Sequence, residues 1–309
     1  MCVLACKYFK DVGWVGVKNR DRNYRPTIRV VQSFRGGTER LYIMDSKTKW
    51  TEGLNRDGIA IISTATAVIK DEKESTISSS SSDNPQAFAS PGGKTIRNAL
   101  LLHDLDEIVK YLVDDELIGN SVVFNKDRCV LIESTMAEDP KSDDLKFVYA
   151  TKEISKSETV VRTNHGILIE AGYTPNYDGD IPNLKDKMAV AYKSSVERMN
   201  RVIKELDKIE DARDMLAAIS TTDNKKAQLN PVRFSSTHSK SVMVTTGQIM
   251  MVPSEMTLSY RPVWCYIDMK NINNVDSHKT DTYFQLLSAR VFRSELISFK
   301  EFKKKTIPA

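Results

Sequence analysis

The sequence "CVLACKYFKDVGWVGVKNRD" at residues 2–21 has the pattern of a β-hairpin at the start of the chain. Residues 2–9 and 14–21 contain apolar and aromatic side chains typical of strands. Residues 10–13, "KDVG", are typical of the loop that joins two such strands. This stretch therefore predicts two paired antiparallel strands, on which the fold and the chemistry of the remaining chain can be built.

The register of this hairpin decides which side chains meet at its open end. If Phe9 faces Trp14 across the loop, then Cys2 lies opposite Asp21, although a slip of one residue would change the partner. The same end of the hairpin carries two cations, Lys18 and Arg20. We therefore expect a thiol, a carboxylate and two positive charges at one end of a sheet.

Cys2 stands directly behind the initiator Met1, and a small second residue permits removal of that methionine. The new terminus would carry an α-amine with a pKa of about 7.7–8.0 and a thiol with a pKa of about 8.5 on one residue. The amine can accept the thiol proton, which gives a nucleophile with its own general base. Lys18 and Arg20 would favour the thiolate, and Asp21 would orient the ammonium group. The alternative is that Cys2 is an ordinary residue of the first strand.

The rest of the chain alternates between strand-like and helix-like segments in the order strands, helix, strands, helices, strands. This order predicts an α+β fold with large, mostly antiparallel sheets. No internal repeat or convincing boundary divides residues 1–309, so we expect a single domain. Residues 71–95 are polar, rich in serine and interrupted by Pro and Gly, which predicts a loop inserted into that domain.

Composition and charge exclude several classes of function. The 45 basic and 41 acidic residues nearly balance, and no basic stripe indicates nucleic acid as a partner. No apolar run reaches the ~20 residues of a membrane span. The start of the chain lacks an apolar export signal, so we expect a cytoplasmic protein with free thiols. The scattered histidines and the spacing of Cys2 and Cys6 predict no metal site and no cofactor.

Cys2 together with "VKNRD" at residues 17–21 resembles the opening of the choloylglycine hydrolase-like N-terminal nucleophile (Ntn) hydrolases. That group includes bile salt hydrolases, penicillin V acylases, acid-ceramidase-like amidases and acyl-CoA:isopenicillin N acyltransferases. The resemblance implies a four-layer αββα sandwich and Cys2 and Asp21 as catalytic residues. Lys18 stands where the group usually has arginine, and Arg20 lies two residues further on the same strand face.

Two further segments resemble the same group and imply an oxyanion hole. "EGLNRDGIAIIST" at residues 52–64 precedes the position whose backbone N–H is one donor, which we assign to Ala65. "RTNHG" at residues 162–166 carries the second donor, the side-chain amide of Asn164. Such donors stabilise the tetrahedral oxyanion of acyl transfer.

Three other residues have secondary assignments. Asn55 is expected to set the turn before a strand, with substrate contact as the alternative. His165 is expected to pack behind the site, because the α-amine already supplies a general base. Arg233 is a candidate for an arginine that bile salt hydrolases carry later in the chain.

The resemblance implies an enzyme that cleaves a linear, non-peptide carbon–nitrogen amide of a small-molecule N-acyl substrate through a thioester on Cys2. An acyltransferase that uses the same acyl-enzyme is one alternative. A catalytically inactive binding protein with the same fold is another, and the lysine at position 18 is the reason to keep it. A papain-like protease lacks the local sequence context around its cysteine. The oligomeric state stays open, with a homo-oligomer among the alternatives.

Overall fold

The computed structural model describes residues 2–22, 26–66, 92–139, 142, 144–177, 189–221, 229–232, 237–238, 241–242, 244–263 and 295–298. Two antiparallel sheets form most of this part of the chain. The first has the spatial order β10 (Val160–Arg162), β1 (Val3–Phe9), β2 (Gly13–Arg22), β13 (Val244–Val252), β14 (Thr257–Pro262) and β15 (Glu295–Ser298). The second follows chain order, with β3 (Ile28–Arg35), β4 (Thr38–Asp45), β5 (Thr51–Asn55), β6 (Ala60–Thr64), β7 (Gly119–Phe124), β8 (Cys129–Glu138) and β9 (Leu145–Glu153).

Helices cover the sheets, and a short hairpin stands apart from them. The helices are α1 (Gly92–Ala99), α2 (Leu105–Asp114), α3 (Ile167–Glu170), α4 (Ala189–Leu206) and α5 (Met215–Ala218). Single 3₁₀ turns lie at Ala212–Asp214 and Pro253–Glu255. The hairpin consists of β11 (Thr237–His238) and β12 (Ser241–Val242).

The main core lies between the two sheets. Alternate side chains on each strand point into this space, because successive residues of a strand face opposite sides of the sheet. The six-stranded sheet contributes Leu4, Cys6, Trp14, Ile249 and Met251, and the seven-stranded sheet contributes Leu41, Leu54, Ile62, Val122, Phe124 and Leu131. All of these side chains are buried, and burial of each large apolar side chain stabilises the fold by about 1.5–3 kcal/mol.

Each sheet buries its other face under helices. The seven-stranded sheet packs against α1 and α2 through Ile61, Val123, Ile96, Ile108 and Leu112. The six-stranded sheet packs against α4 and α5 through Val15, Val17, Val202, Leu206 and Met215. The layers therefore follow the order helices, sheet, sheet, helices, and the predicted four-layer αββα sandwich with antiparallel sheets is confirmed.

The first hairpin forms as predicted, but its register is shifted by one residue. Phe9 pairs with Gly13, and Tyr8 pairs with Trp14. The carbonyl of Phe9 accepts a hydrogen bond of 3.2 Å from the N–H of Val12, which closes a three-residue loop. Gly13 follows with a φ of 89°, a conformation that glycine adopts at no steric cost and that is common after such loops. The prediction that Phe9 faces Trp14 was therefore wrong.

This shift changes the residue across from the nucleophile candidate. Val3 pairs with Asn19, so the same register places Cys2 opposite Arg20 and not opposite Asp21. Cys2 and Arg20 share the face that points between the sheets, and Asp21 points to the helices on the other face. Asp21 is therefore not the residue across the hairpin from Cys2, although its negative charge acts on the thiol.

The predicted serine-rich loop is shorter at its C-terminal end than the sequence indicates. Helix α1 begins at Gly92, so residues 92–95 belong to a helix and not to the loop. Gly93 permits this close packing, because a Cβ atom there would lie 2.0 Å from the carbonyl oxygen of Lys49. Residues 71–91 of the predicted loop lie outside the described residues.

Candidate active site

Strand β2 carries the charged residues of the site, and two of them meet one buried glutamate. Lys18 and Arg20 point between the sheets, where Glu52 of β5 faces them. Lys18 donates hydrogen bonds to the Glu52 carboxylate and to the carbonyl oxygen of Ser63. Arg20 donates to the other oxygen of Glu52 through Nη1 at 2.5 Å. Glu52 thus joins the two cations of β2 to the opposite sheet.

The Glu52 carboxylate is fully buried but stays ionised. Burial raises the pKa of Glu52, yet Arg20 and Lys18 more than offset this effect, so the pKa lies below its usual value. Trp50 donates a further hydrogen bond of 2.8 Å from its indole N–H. A buried carboxylate is tolerated where it is paired and hydrogen-bonded in this way. This network fixes Lys18 and Arg20 on the face of the strand that also carries Cys2.

Asp21 faces the helix layer and meets a buried arginine there. Its Oδ1 accepts a hydrogen bond of 2.8 Å from the hydroxyl of Thr245. Its Oδ2 lies 3.5 Å from Nη1 of Arg198, a residue of α4 with no exposed surface. A register shift in β13, between Thr245 and Gly247, lies opposite Asp21 and directs the threonine at the carboxylate.

The Cys2 thiol lies within this charged environment and is only 5% exposed. Burial raises the pKa of Cys2, but nearby positive charges, led by Lys18, more than offset it, so the pKa lies below its usual value. The negative charge of Asp21 acts on the same thiol in the opposite direction. A lowered thiol pKa favours the thiolate, which is the nucleophilic form of cysteine.

Asn164 and Ala65, the two predicted oxyanion-hole residues, are in direct contact. The Asn164 side-chain amide donates a hydrogen bond of 2.5 Å to the carbonyl oxygen of Ala65. The Asn164 side-chain oxygen accepts one of 3.2 Å from Nη2 of Arg198. Arg198 therefore connects Asp21 to Asn164, and the second N–H of the amide is left for another acceptor.

The backbone around Asn164 is held by buried polar side chains. The Thr64 hydroxyl donates to the carbonyl oxygen of Thr163 at 2.6 Å. The Asn120 amide donates to the carbonyl oxygens of Thr163 and His165 at 3.2 and 3.0 Å. The backbone N–H of Asn164 donates to the hydroxyl of Ser195 at 3.0 Å. The loop that carries Asn164 is therefore fixed between β6, β7 and α4.

A glycine permits close packing beside Ala65. Gly119 has a φ of 145°, and a Cβ atom there would lie 2.2 Å from the carbonyl oxygen of Thr64. Any other residue would push the start of β7 away from the peptide that joins Thr64 to Ala65. Ala65 itself is exposed, so the site reaches the surface at this point.

His165 is buried behind the site. Its Nδ1 is 2.8 Å from the hydroxyl of Ser195, and its ring packs against Tyr192 with centroids 5.2 Å apart. Burial, together with the charges of Arg162 and Arg198, lowers its pKa to about 4. A neutral, packed histidine agrees with the expectation that His165 supports the loop of Asn164.

Asn55 is occupied by its own turn. Its side-chain oxygen accepts from the backbone N–H groups of Asp57 and Ile59 at 3.1 and 3.0 Å. Its amide donates to the carbonyl oxygen of Leu102 at 2.8 Å. These contacts agree with the expected role in the turn. Arg233 lies outside the described residues.

Sequence reasoning missed two charged residues of the site. Glu52 is the first residue of the motif at residues 52–64 and lies next to Gly53 in the buried strand β5. A charged side chain in a buried strand needs partners, and this was the signal that sequence reasoning missed. Arg198 gave no local signal, because it lies in a helix whose apolar spacing explains the helix without it. Ser194 and Ser195, about one turn before Arg198 on α4, are buried as well.

The predicted free thiols are confirmed for Cys2, Cys6 and Cys129, whereas Cys265 lies outside the described residues. In the part of the chain that the structure describes, no cluster of three or more His, Cys, Asp or Glu could hold a metal ion. None of the helices in that same part is sufficiently long and apolar to cross a membrane.

Comparisons with known proteins find similarity in structure but not in sequence. No protein-family model and no curated protein sequence matches the chain. A penicillin V acylase from Agrobacterium tumefaciens aligns with 9% identity and a TM-score of 0.42, over 88% of this chain and 87% of that one. A mutant of the conjugated bile acid hydrolase from Clostridium perfringens aligns with 12% identity and a TM-score of 0.45, over 97% of each chain.

A second variant of that bile acid hydrolase aligns with 12% identity and a TM-score of 0.44, over 96% of this chain and 97% of that one. At such low identities no residue role is transferred from these enzymes. The resemblance of Cys2 and residues 17–21 to choloylglycine hydrolase-like Ntn hydrolases therefore stays a prediction from the sequence.

Proposed function

We propose that this chain is an amide hydrolase whose nucleophile is the Cys2 thiolate at a free amino terminus. Its substrate is a small molecule with a linear, non-peptide N-acyl amide bond. The observation that carries this proposal is the chain of buried contacts from Asp21 through Arg198 to Asn164, with the Cys2 thiol in the same electrostatic environment. These groups belong to the residue before β1, to β2, to α4 and to the segment after β10.

Acylation begins with transfer of the thiol proton to the α-amine of Cys2, once Met1 has been removed. The thiolate attacks the amide carbonyl carbon, and the carbon–oxygen π electrons move onto the oxygen. The second N–H of the Asn164 amide and the backbone N–H of Ala65 stabilise this oxyanion. Collapse of the intermediate breaks the carbon–nitrogen bond, and the α-ammonium gives its proton to the leaving amine.

Deacylation repeats the same proton transfers with water. The α-amine takes a proton from water, the hydroxide attacks the thioester, and the thiol leaves with that proton. Lys18 favours the thiolate before attack and again as the thiol leaves. Asp21 is held by Thr245 and Arg198, and in this proposal it orients the α-ammonium group.

The test is a panel of N-acyl amides offered to the wild-type protein and to Cys2→Ala. We expect turnover by the wild type, an acyl adduct on Cys2 by mass spectrometry of trapped protein, and neither with the variant. Equal turnover by both proteins would remove Cys2 from the mechanism. Added amines that capture the acyl group faster than water would make the protein an acyltransferase.

The mass of the intact purified protein is a second measurement. We expect the mass without Met1, because a retained methionine would block the α-amine in a peptide bond. A fully retained Met1 together with no adduct from any amide would favour the inactive binding protein. Circular dichroism of Cys2→Ala controls for loss of the fold.

A further inference from the structure

The hairpin of β3 and β4, at one edge of the seven-stranded sheet, separates its charges by face. Side chains with odd numbers in β3 and even numbers in β4 lie on the face that packs against α1 and α2. The three arginines of this hairpin, Arg29, Arg35 and Arg40, all belong to that face. Its two acidic residues, Glu39 and Asp45, lie on the opposite face. The outer face of the hairpin is therefore positively charged.

Helix α1 adds to this positive charge. It contains no acidic residue, and its Arg97 donates hydrogen bonds of 2.8 Å to the carbonyl oxygen of Lys49 and to the hydroxyl of Thr51. Arg40 donates to the carbonyl oxygen of Arg97. Burial lowers the pKa of Arg40, and the like charges of Arg35 and Arg97 lower it further. Within the part of the chain that the structure describes, no acidic side chain forms an ion pair with any of these four arginines.

The backbone of β3 is unpaired along its outer edge. β3 is the last strand of its sheet among the described residues. Gly36 and Gly37 form a two-residue turn to β4 with φ values of 61° and 85°, as in a type I′ turn. The residues that flank such a turn exchange hydrogen bonds, and bonded and non-bonded pairs alternate from there along the strands. The backbone groups of Val30, Gln32 and Phe34 therefore point away from β4, where the described residues provide no hydrogen-bond partner.

The other edge of the same sheet is covered. Asn176 donates a hydrogen bond of 2.8 Å from its side-chain amide to the carbonyl oxygen of Phe147 in β9. Its side-chain oxygen accepts one of 3.4 Å from the backbone N–H of Tyr149. A side chain thus takes the place of a further strand at β9. β3 has no such cover among the described residues and exposes Arg29 and Arg35 instead.

The charges of β3 disfavour a second copy of this chain at the free edge. The longest symmetrical antiparallel pairing of β3 with itself is centred on Gln32. It would set the arginine at position 29 of each copy directly opposite the arginine at position 35 of the other. Like charges directly opposite each other destabilise a pair of strands, whereas opposite charges stabilise it. The edge therefore favours a strand that carries carboxylates at these two positions.

We propose that the outer edge of β3 docks an extended acidic segment of a partner protein, which adds an antiparallel strand to the seven-stranded sheet. Main-chain hydrogen bonds hold the segment, and carboxylates six residues apart pair with Arg29 and Arg35. Phe34, which is 75% exposed, offers an apolar contact to the segment. Arg40 and Arg97 lie behind the edge and raise the positive potential of this face. These residues lie outside the candidate active site, so this inference does not depend on the proposed function.

The probe is the peptide acetyl-EVTTTVEV, labelled with rhodamine through a C-terminal glycine linker. Antiparallel pairing with β3 places its two carboxylates opposite Arg35 and Arg29. The matched control has glutamine in place of both glutamates, and fluorescence anisotropy with the full chain measures both dissociation constants. We expect the acidic peptide to bind about 2- to 30-fold more tightly than the control, as for two cross-strand pairs of opposite charge.

Two methylated forms of the acidic peptide test whether main-chain hydrogen bonds are used. N-Methylation of its second, fourth and sixth residues blocks the amides that face β3 in this pairing. N-Methylation of its third, fifth and seventh residues blocks the amides on the opposite side. We expect the first form to bind at least about 10-fold more weakly than the second, as for the loss of three hydrogen bonds.

Variants then assign the charge preference to β3. Arg29→Gln and Arg35→Gln change exposed side chains, so the fold should persist, and circular dichroism checks this. The double variant is expected to bind the acidic peptide and its glutamine control equally. Lys110→Gln, at a surface ion pair with Asp114 in α2, is the control and should keep the wild-type ratio.

Five results would overturn the inference. The acidic peptide could fail to bind, or bind no better than its glutamine control. The preference could persist in the double variant, which would place the acidic segment elsewhere. The two methylated forms could bind equally, which would exclude strand addition. Sedimentation velocity could show a dimer that the acidic peptide dissociates, which would assign the edge to a second copy. A single strand of ten thymidines could displace the peptide and bind more tightly, which would assign the edge to nucleic acid.

Discussion

The two ends of the space between the sheets differ sharply although the same strands build both. At one end, Cys6, Trp14 and Cys129 pack in an apolar core. At the other end, Lys18 and Glu52 are equally buried but are charged. Burial of apolar side chains stabilises the fold, whereas burial of charges costs free energy unless their partners are complete. Burial of apolar side chains at one end therefore offsets the free-energy cost of burying charges at the other end.

Cys2 and Cys6 make this comparison within one strand. Cys6 lies in β1 and Cys2 directly precedes it, four residues away, and both thiols are buried. Positive charges led by Lys18 overcome burial and lower the pKa of Cys2. Burial and the neighbouring thiol of Cys129 raise the pKa of Cys6. Position along the strand, and not residue type, separates a reactive thiol from an inert one.

The largest expected effect comes from replacing each of these thiols in turn. Cys2→Ala is expected to lower amide turnover by at least about 10³-fold, because the nucleophile is lost. Cys6→Ala is expected to keep turnover and to lower the free energy of unfolding by about 1 kcal/mol, as for loss of one methylene-sized group. Steady-state kinetics and urea titration measure the two effects. Similar activity in both variants would contradict the assignment.

Next in size is the loss of the buried carboxylate that joins the cations. Glu52→Gln leaves Lys18 and Arg20 without their shared counter-charge, and we expect the free energy of unfolding to fall by about 3–5 kcal/mol. Glu39→Gln, which removes the surface pair with Arg56, is the matched control and should cost about 0–1 kcal/mol. Equal urea midpoints for the two variants would show that the pairing of Glu52 with Lys18 and Arg20 does not stabilise the fold.

The oxyanion donor should have a smaller effect that is confined to catalysis. Asn164→Ala removes the amide that contacts Ala65 and Arg198, and we expect acylation to slow by about 10²–10³-fold. Asn55→Ala is the control, because its side chain serves a turn, and it should change stability more than rate. Single-turnover kinetics measure acylation. A rate for Asn164→Ala within a few-fold of the wild type would contradict the oxyanion role.

The smallest effect concerns pH and the buried His165. Its pKa is about 4 in the folded protein and about 6.5 when unfolded, so the unfolded chain binds a proton first as the pH falls. This residue therefore lowers the free energy of unfolding between pH 6.5 and pH 4, by about 3 kcal/mol at most. Above pH 6.5 the contribution vanishes. Urea titrations of His165→Gln should show a shallower loss of stability in this interval, and an unchanged slope would contradict the pKa assignment.

Much of the architecture could be read from local patterns. Apolar and aromatic side chains around a loop predicted β1 and β2, and the order of segments predicted an α+β fold with large, mostly antiparallel sheets. The hairpin register was missed by one residue, because the preference of Gly13 for a positive φ decides where the loop ends. Local patterns specify the existence of strands more strongly than their exact pairing.

The candidate site was only partly predictable for a related reason. Cys2, Asp21, Ala65 and Asn164 stood in recognisable motifs. Arg198 could not be found, because a residue of α4 meets Asp21 only after the helix has packed on the sheet. Contacts between residues far apart in the chain leave no local signal.

The amino-acid sequence by itself determined the elements, their alternating faces and the presence of a thiol, an acid and an amide in suitable motifs. The tertiary structure decided which of these groups meet, because two sheets had to stack before Glu52 could pair with Lys18 and Arg20. It also decided which donors stay unused, since the hydrogen bonds of Arg20 depend on every neighbour that surrounds it. The pattern of apolar and polar residues is a local property of the sequence, whereas the pairing of buried charges depends on contacts across the whole fold.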